Sequence, residues 1–319
     1  MLHLILATLL TFAQYNCENL FDCEHDTLKD DTEFLPDSPR RWVYNKYWAK
    51  VRNVAQSIIA CGNDEGAPPD FVTLCEVEND TVMRDLTRRS QLREMNYQYV
   101  MTHSPDVRGI DVALLYNPFA FRPLRHYSLA VDEDKGKRPL RHILYVAGTI
   151  ITDDTIHIFV VHAPSRSGGK RKSSPRREAV ARRVCQSVDS IRALSPEALI
   201  IVAGDFNDSS GDPSLRVYDA HHFANPSSNA KGKYAGEVVE EVKASYRYKG
   251  EWETIDNILV SRPLLPCVED CFVNAPSFLL EEDKQYGGLK PRRSFLGYRF
   301  RFDGYSDHLP VVIRFRFDK

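Results

Sequence analysis

Leu199-Ile200-Ile201-Val202-Ala203-Gly204-Asp205-Phe206-Asn207 holds five apolar residues in succession and then turns polar. A short apolar run of this kind, closed by glycine, reads as a strand buried on both faces, with a carboxylate and an amide standing where it ends. The same grammar recurs along the chain. Run 156–161 closes on His162, run 71–74 is followed by Glu76, Glu78 and Asn79, and the apolar start of the chain leads into Asn16 and Glu18. Asp256 lies inside the strand predicted over 255–260, while Asp307 and His308 stand immediately before the strand predicted over 309–315. Carboxylates, amides and imidazoles repeated at strand ends converge on one rim of a sheet, which is where ligand and catalytic sites are built.

Working outward, further strands are expected over 97–101, 112–116 and 143–151. Trp48, Val51, Ala55, Ile58 and Ile59 keep a helical spacing over 45–61 with Gly62 placed to end it, and Val180, Val184, Val188 and Ile191 do the same over 179–191. So many strands with helices only at intervals predict an α/β sandwich of two mixed sheets covered by helices, not one doubly wound sheet. Segments 23–40, 221–249 and 280–304 read as long loops, a length that is uncommon without a function. For 221–233, rich in Asn, Ser and Gly, disorder is the competing reading.

The composition fits one large core. The 319 residues carry 42 Lys and Arg against 44 Asp and Glu, a net charge of −2, with 43% hydrophobic and 27% charged residues. Disorder and collagen are thereby excluded, and no run reaches the roughly 18 apolar residues of a spanning helix. The apolar run 2–13 has two readings: a signal remnant, which leans towards an exported, periplasmic or extracellular protein, or the lead-in to a first strand at Tyr15 and Asn16. Residues 14–319 are expected to form a single catalytic domain, acting as a monomer. Seven cysteines form neither a zinc pattern nor a disulfide framework, although Cys267 and Cys271 are close enough to be considered for a bridge.

The residue types restrict the chemistry. Asp, Glu and Asn oxygens without a Cys cluster suit Mg²⁺ or Mn²⁺, and Ca²⁺, better than structural zinc. Two histidines and a separate carboxylate supply proton transfer near neutral pH. Together they suit metal-assisted hydrolysis of a phosphate ester. Singly, each residue has a duller reading as a turn residue, a cap or a solvated charge; only the ordered set argues for catalysis.

The segments Tyr15-Asn16-Cys17-Glu18-Asn19-Leu20-Phe21-Asp22, Leu74-Cys75-Glu76, Gly109-Ile110-Asp111-Val112, Val161-His162-Ala163-Pro164, Gly204-Asp205-Phe206-Asn207, Thr254-Ile255-Asp256-Asn257 and Ser306-Asp307-His308-Leu309-Pro310 resemble, in this order, the motifs of the endonuclease/exonuclease/phosphatase superfamily. The resemblance implies a deoxyribonuclease I-like, four-layer α/β sandwich. It implies that Glu76 is the principal metal ligand, with Asn16 beside the metal, Glu18 contributing and Asp307 completing the surroundings. Asp205 would align or deprotonate the attacking water, Asn207 would hold the phosphate or nucleophile, and His162 would contact the phosphate. His308, oriented by Asp256, would stabilise developing charge or act as acid and base. Glu18, Glu78, Asn79 and Asp111 stay open between supporting the site and ordinary structure, Asp111 by bracing Arg108.

Basic residues bear on the substrate. Arg166, Lys170, Arg171, Lys172, Arg176 and Arg177 follow the strand of His162, with Gly168 and Gly169 making the first half a flexible loop. Phosphate-backbone binding is the reading for Arg166 and for 170–177, a solvated helix face for Arg182 and Arg183. Arg293 in the loop before His308, and Tyr248 beside Lys249, add cations and aromatics of the kind that hold phosphates and stack bases. The expected activity is therefore a Mg²⁺- or Mn²⁺-dependent phosphodiesterase with nucleic acid as leading substrate. The alternatives are a phosphatase or phosphodiesterase of a small phosphorylated molecule or phospholipid, and a noncatalytic phosphate-binding module.

Overall fold

The computed structural model describes residues 7–63, 66–132 and 139–318. In chain order, β1 (Ala7–Leu20), α1 (Tyr44–Ile59), β2 (Phe71–Val77), α2 (Asp80–Arg88), β3 (Gln98–Met101) and β4 (Asp111–Tyr116) come first. Then follow β5 (Phe121–Leu129), β6 (Ile143–Ile150), β7 (Thr155–His162), α3 (Lys170–Leu194), β8 (Leu199–Asp205) and α4 (Pro213–Ala220). Short strands β9 (Phe223–Ala224), β10 (Gly232–Tyr234), β11 (Glu237–Val238), β12 (Tyr246–Tyr248) and β13 (Glu251–Glu253) lead to β14 (Asp256–Ser261) and β15 (Val268–Asn274). Hairpins β16 (Leu280–Glu282) with β17 (Leu289–Pro291), and β18 (Phe295–Leu296) with β19 (Arg299–Phe300), precede β20 (Val311–Asp318).

Two sheets carry the fold. One runs β11-β10-β15-β20-β1-β2-β4-β3 and the other β5-β6-β7-β8-β14-β9. Both are mixed, since β1 lies parallel to β2 and β7 parallel to β8 among antiparallel neighbours. Their inner faces meet in one apolar layer, with Phe12, Phe71, Val112 and Ile313 from the first sheet against Val146, Ile158, Ile201 and Ile258 from the second. Helices α1 and α2 cover the outer face of the first sheet and α3 and α4 that of the second. Because both faces of the central strands are buried, their sequences read as continuous apolar runs. The four-layer sandwich is the architecture expected from the sequence.

Four expectations need adjustment. Run 7–13 is part of a central strand, with Thr8 to Gln14 paired to β20 on one side and Phe12 to Asn16 to β2 on the other; residues 1–6 lie outside the described residues. The three long loops are punctuated by short hairpins and 3-10 turns and are not structureless. Cys271 is a free thiol, so the bridge to Cys267 is not formed.

The fourth concerns α3, which begins at Lys170 and runs through Pro175. Gly168 and Gly169 read as a flexible loop because glycine has little helical preference. Buried Arg177 overrides that signal. Its Nη2 donates to Lys170 O at 2.9 Å and its Nη1 to Ser173 Oγ at 2.7 Å, while Nε lies 2.8 Å from Asp208 Oδ2 with both side chains fully buried. Arg177 is thus a strut between α3 and the end of β8, not a phosphate-binding residue.

Candidate active site

Strand periodicity builds the site. β7, β8 and β14 send alternate side chains into the layer between the sheets: Ile158 and Val160, Ile201 and Ala203, Ile258 and Val260. The next residue on the same face of each strand is His162, Asp205 and Asp256. The registers His162↔Asp205 and Asp205↔Asp256 set these three abreast. Gly204 permits this closeness, because its φ is +151° and a Cβ there would collide with Val161 O. Across the layer β1 ends its inner face in the same way, with Gln14 and Asn16 following Phe12. Asn16 Nδ2 donates to Asp205 Oδ2 at 3.1 Å, and Gln14 Nε2 reaches Asp256 Oδ1 at 3.5 Å. The apolar core therefore closes in a polar rung that spans both sheets.

Glu76 arrives by a different device. Register shifts fall between Asn16 and Leu20 on β1 and between Cys75 and Val77 on β2. Glu18, Asn19 and Glu76 there have φ of 50°, 60° and 63°. Such bulges re-aim a side chain, and a left-handed non-glycine costs about 1–3 kcal/mol. Under strict alternation Glu76 would follow Leu74 towards the helices; instead it lines the cleft, with Oε2 accepting from Asn19 N at 2.9 Å.

His308 is held by Asp256, whose Oδ2 lies 2.7 Å from Nδ1 and also accepts from Ser245 Oγ at 2.7 Å. The Tyr246 ring leans on the imidazole at 4.8 Å between centroids. Burial works against charge on His308, but Asp256, then Asp307 and Asp205, outweigh it and raise its pKa well above 6.5. His162 goes the other way: burial, then Arg141 and Arg108, hold it well below 6.5. Its Nε2 stands 3.7 Å from both Glu76 Oε1 and Asp205 Oδ2, and its buried Nδ1 has no hydrogen-bond partner among the described residues. The two imidazoles are thus shifted in opposite directions, His308 towards the charged form and His162 towards the neutral one. Burial, with Asp256 beside it, pushes Asp205 up to about 7.

A divalent cation fits these donors. Glu76 Oε1 receives no hydrogen bond among the described residues and faces a cleft with Asp205 and Asp307, all hard oxygens. Asp205, Asp256 and His308 also bring ligand atoms within 4.8 Å of one another. Asp256, however, is fully buried and already engaged by Ser245 and His308, so Glu76 is the better anchor. Asn16 and Glu18 do not line the cleft. Glu18 accepts from Ser294 N and faces Arg293 Nε at 3.5 Å, with burial the main cause raising it to about 7. It braces the 280–304 segment from behind the site.

The cleft measures about 1010 Å³ and is lined by Glu76, His162, Asp205, Asn207, Asp307 and His308. Asn207 donates through N to Asp205 Oδ1 at 2.9 Å and through Nδ2 to Ala163 O at 3.1 Å. Arg166, Lys170, Arg176 and Tyr248 also line it. Arg166, however, pairs with Glu253 and Asp212, Lys170 pairs with Asp212 at 2.8 Å, and Arg293 pairs with Asp307 at 2.8 Å. Asn79 caps α2, accepting from Val82 N, and Glu78 accepts from Asp22 N. Asp111 accepts from Thr102 Oγ1 and Ser104 N and does not brace Arg108.

Sequence reasoning missed Gln14, Asn19, Arg108 and Arg141 as site residues. Gln14 was findable, since it stands two residues before Asn16 on the same strand face. Arg141 donates to His162 O at 3.1 Å and to Ala163 O at 3.3 Å, and pairs with Asp106 at 3.2 Å. Nothing in its local sequence announces that reach.

The family model for the Endonuclease/Exonuclease/phosphatase family matches residues 11–317. The chain belongs to that family. Its members hydrolyse phosphate esters. No curated protein sequence matches the chain. Among similar solved structures are an endonuclease/exonuclease/phosphatase family protein of Bacteroides thetaiotaomicron and a mannosyl-6-phosphatase of the same organism. The first shares 17% identity over 98% of this chain and 97% of that one, at a TM-score of 0.60. The second shares 17% over 97% and 100%, at 0.62. TDP2 from Caenorhabditis elegans shares 16% over 96% of this chain and 75% of that one, at 0.58. At such identities these likenesses bear on the fold, which they share along nearly the whole of this chain.

Proposed function

We propose that this chain is a divalent-cation-dependent hydrolase of small phosphorylated molecules. The observation that carries the phosphoesterase chemistry is the polar rung His162–Asp205–Asp256 with His308 and bulged Glu76 at one cleft. Glu76, with Asp205 and Asp307 beside it, would hold Mg²⁺ or Mn²⁺. When bound, the cation supplies charge neutralisation of the phosphoryl group and Lewis acidity towards it. Asp205, beside His162 and Asp256 on the rung, accepts the proton of the attacking water. His308, kept charged by Asp256, stabilises the developing negative charge and returns a proton to the leaving oxygen. Neutral His162 offers its ring N–H to a phosphoryl oxygen.

The preference for a small substrate rests on charge. A polymer's phosphates need unpaired cations along a track, and Arg166, Lys170 and Arg293 are each paired to carboxylates. Lys172 and Tyr248 at the rim favour the second reading, a nuclease. Phosphate release from a panel of small phosphate esters, beside cleavage of single-stranded and plasmid DNA, tests the choice in Mg²⁺ or Mn²⁺. Turnover of small esters without DNA cleavage is expected; DNA cleavage as the dominant, His308-dependent activity would overturn the small-molecule reading.

A further inference from the structure

Arg108 differs from Arg141, Arg166 and Lys170, which line the same cleft. Arg141, Arg166 and Lys170 each face a carboxylate, whereas Arg108 makes one side-chain hydrogen bond among the described residues, from Nη2 to Asn19 Oδ1 at 2.6 Å. A guanidinium has five N–H donors. Most of those on Arg108 are therefore open to the cleft that it lines with Glu76 and His162.

The loop that carries it is braced. Asp111 accepts from Ser104 N at 2.9 Å, Lys29 Nζ donates to Asp106 O at 3.0 Å, and Arg108 N donates to Asp106 Oδ1 at 2.9 Å. Asn19 then joins Arg108 to Glu76, because its N–H donates to Glu76 Oε2 while its side-chain oxygen accepts from Arg108. An exposed arginine held on a stiff loop beside the proposed metal ligand is preorganised for an anion at a fixed distance from that ligand.

We infer that Arg108 receives the terminal phosphoryl oxygens of the substrate and thereby selects phosphomonoesters over diesters. This rests on the proposed phosphoesterase reading of the site. A monoester near neutral pH presents three peripheral oxygens and close to two negative charges; a diester presents two oxygens and one charge. After the metal side and the histidines have each engaged an oxygen, only the monoester keeps one for a planar guanidinium, and its extra charge is the one Arg108 neutralises. Asn19 is a positioning residue for Arg108 through its side-chain oxygen, while its backbone N–H holds Glu76.

The test compares p-nitrophenyl phosphate with bis-p-nitrophenyl phosphate in Mn²⁺ for the wild type, Arg108→Ala, Arg108→Lys and Asn19→Gly. Arg108→Ala is expected to lower kcat/KM for the monoester about 100-fold and for the diester about fivefold, the lysine variant falling between. Asn19→Gly keeps the left-handed backbone and its N–H while deleting the tether, and should lose part of the same selectivity. Equal falls for the two esters, or none, would overturn the inference. Binding of inorganic phosphate by calorimetry judges Arg108 without turnover: a Kd raised about tenfold or more in Arg108→Ala supports it, and an unchanged Kd overturns it. Ester turnover that survives His308→Ala would instead overturn the proposed active site, leaving the phosphate isotherm to decide on Arg108.

Discussion

Nδ1 of His308 lies 2.7 Å from Oδ2 of Asp256, and both side chains are buried. The pair fixes which ring nitrogen faces the cleft and keeps the imidazole charged against its own desolvation. Asp256→Asn should therefore lower kcat by about 10²–10⁴-fold with a smaller change in KM. Steady-state kinetics on any turned-over ester checks this; a loss confined to KM would contradict the role.

Glu76 pays for its position in backbone strain, with φ at 63°. Glu76→Gly should raise stability by about 1 kcal/mol while abolishing metal-dependent turnover. Glu76→Ala should abolish turnover equally but keep the strain, because it keeps a Cβ. Urea unfolding of the three proteins separates these outcomes, and a glycine variant no more stable than the alanine one would count against strain at this bulge.

The buried Arg177–Asp208 pair holds α3 to the loop after β8. Arg177→Met leaves the Asp208 carboxylate without its partner and should cost about 3–5 kcal/mol. Combining it with Asp208→Leu should recover much of that loss. Recovery of nothing in the double variant would mean that the hydrogen bonds of Arg177 to Ser173 and Lys170, and the one Asp208 accepts from Ser214 Oγ at 2.7 Å, matter more than the charge.

Asp111 gives a pH signature independent of turnover. Burial raises its pKa from 3.8 to about 6 despite hydrogen bonds from Thr102 and Ser104. For an acid raised in the fold, stability is highest below the unfolded value of 3.8 and falls as pH climbs through about 6. Asp111→Asn, which keeps an accepting oxygen, should thus gain about 2–3 kcal/mol over the wild type at pH 8 and nothing at pH 3.5. Chemical denaturation at the two pH values reads the difference directly.

Much of this site was legible in the sequence because strands obey a period of two. Once the run 199–203 is a two-faced strand, Asp205 must continue its inner face, and the same count carries Val160 to His162 and Phe12 to Gln14 and Asn16. The bulges were not legible: nothing in Cys75-Glu76-Val77 says that the chain inserts a residue there, so how Glu76 reaches the cleft had to be seen. Cation pairing was also hidden. Arg166 and Glu253 are 87 positions apart, and a run of basic residues in sequence gives no sign of the acids that meet it in space. Arg177, surrounded by exposed cations on α3, looked like one of them until its burial against Asp208 appeared.

The most direct measurement is phosphate-ester hydrolysis by the wild type and His308→Ala, each with metal removed by chelation and then with Mg²⁺ or Mn²⁺ restored. The account predicts turnover in the wild type that vanishes on chelation, returns with the cation and falls by about 10²-fold or more in the variant. Turnover indifferent to chelation, or undiminished in His308→Ala, would contradict it.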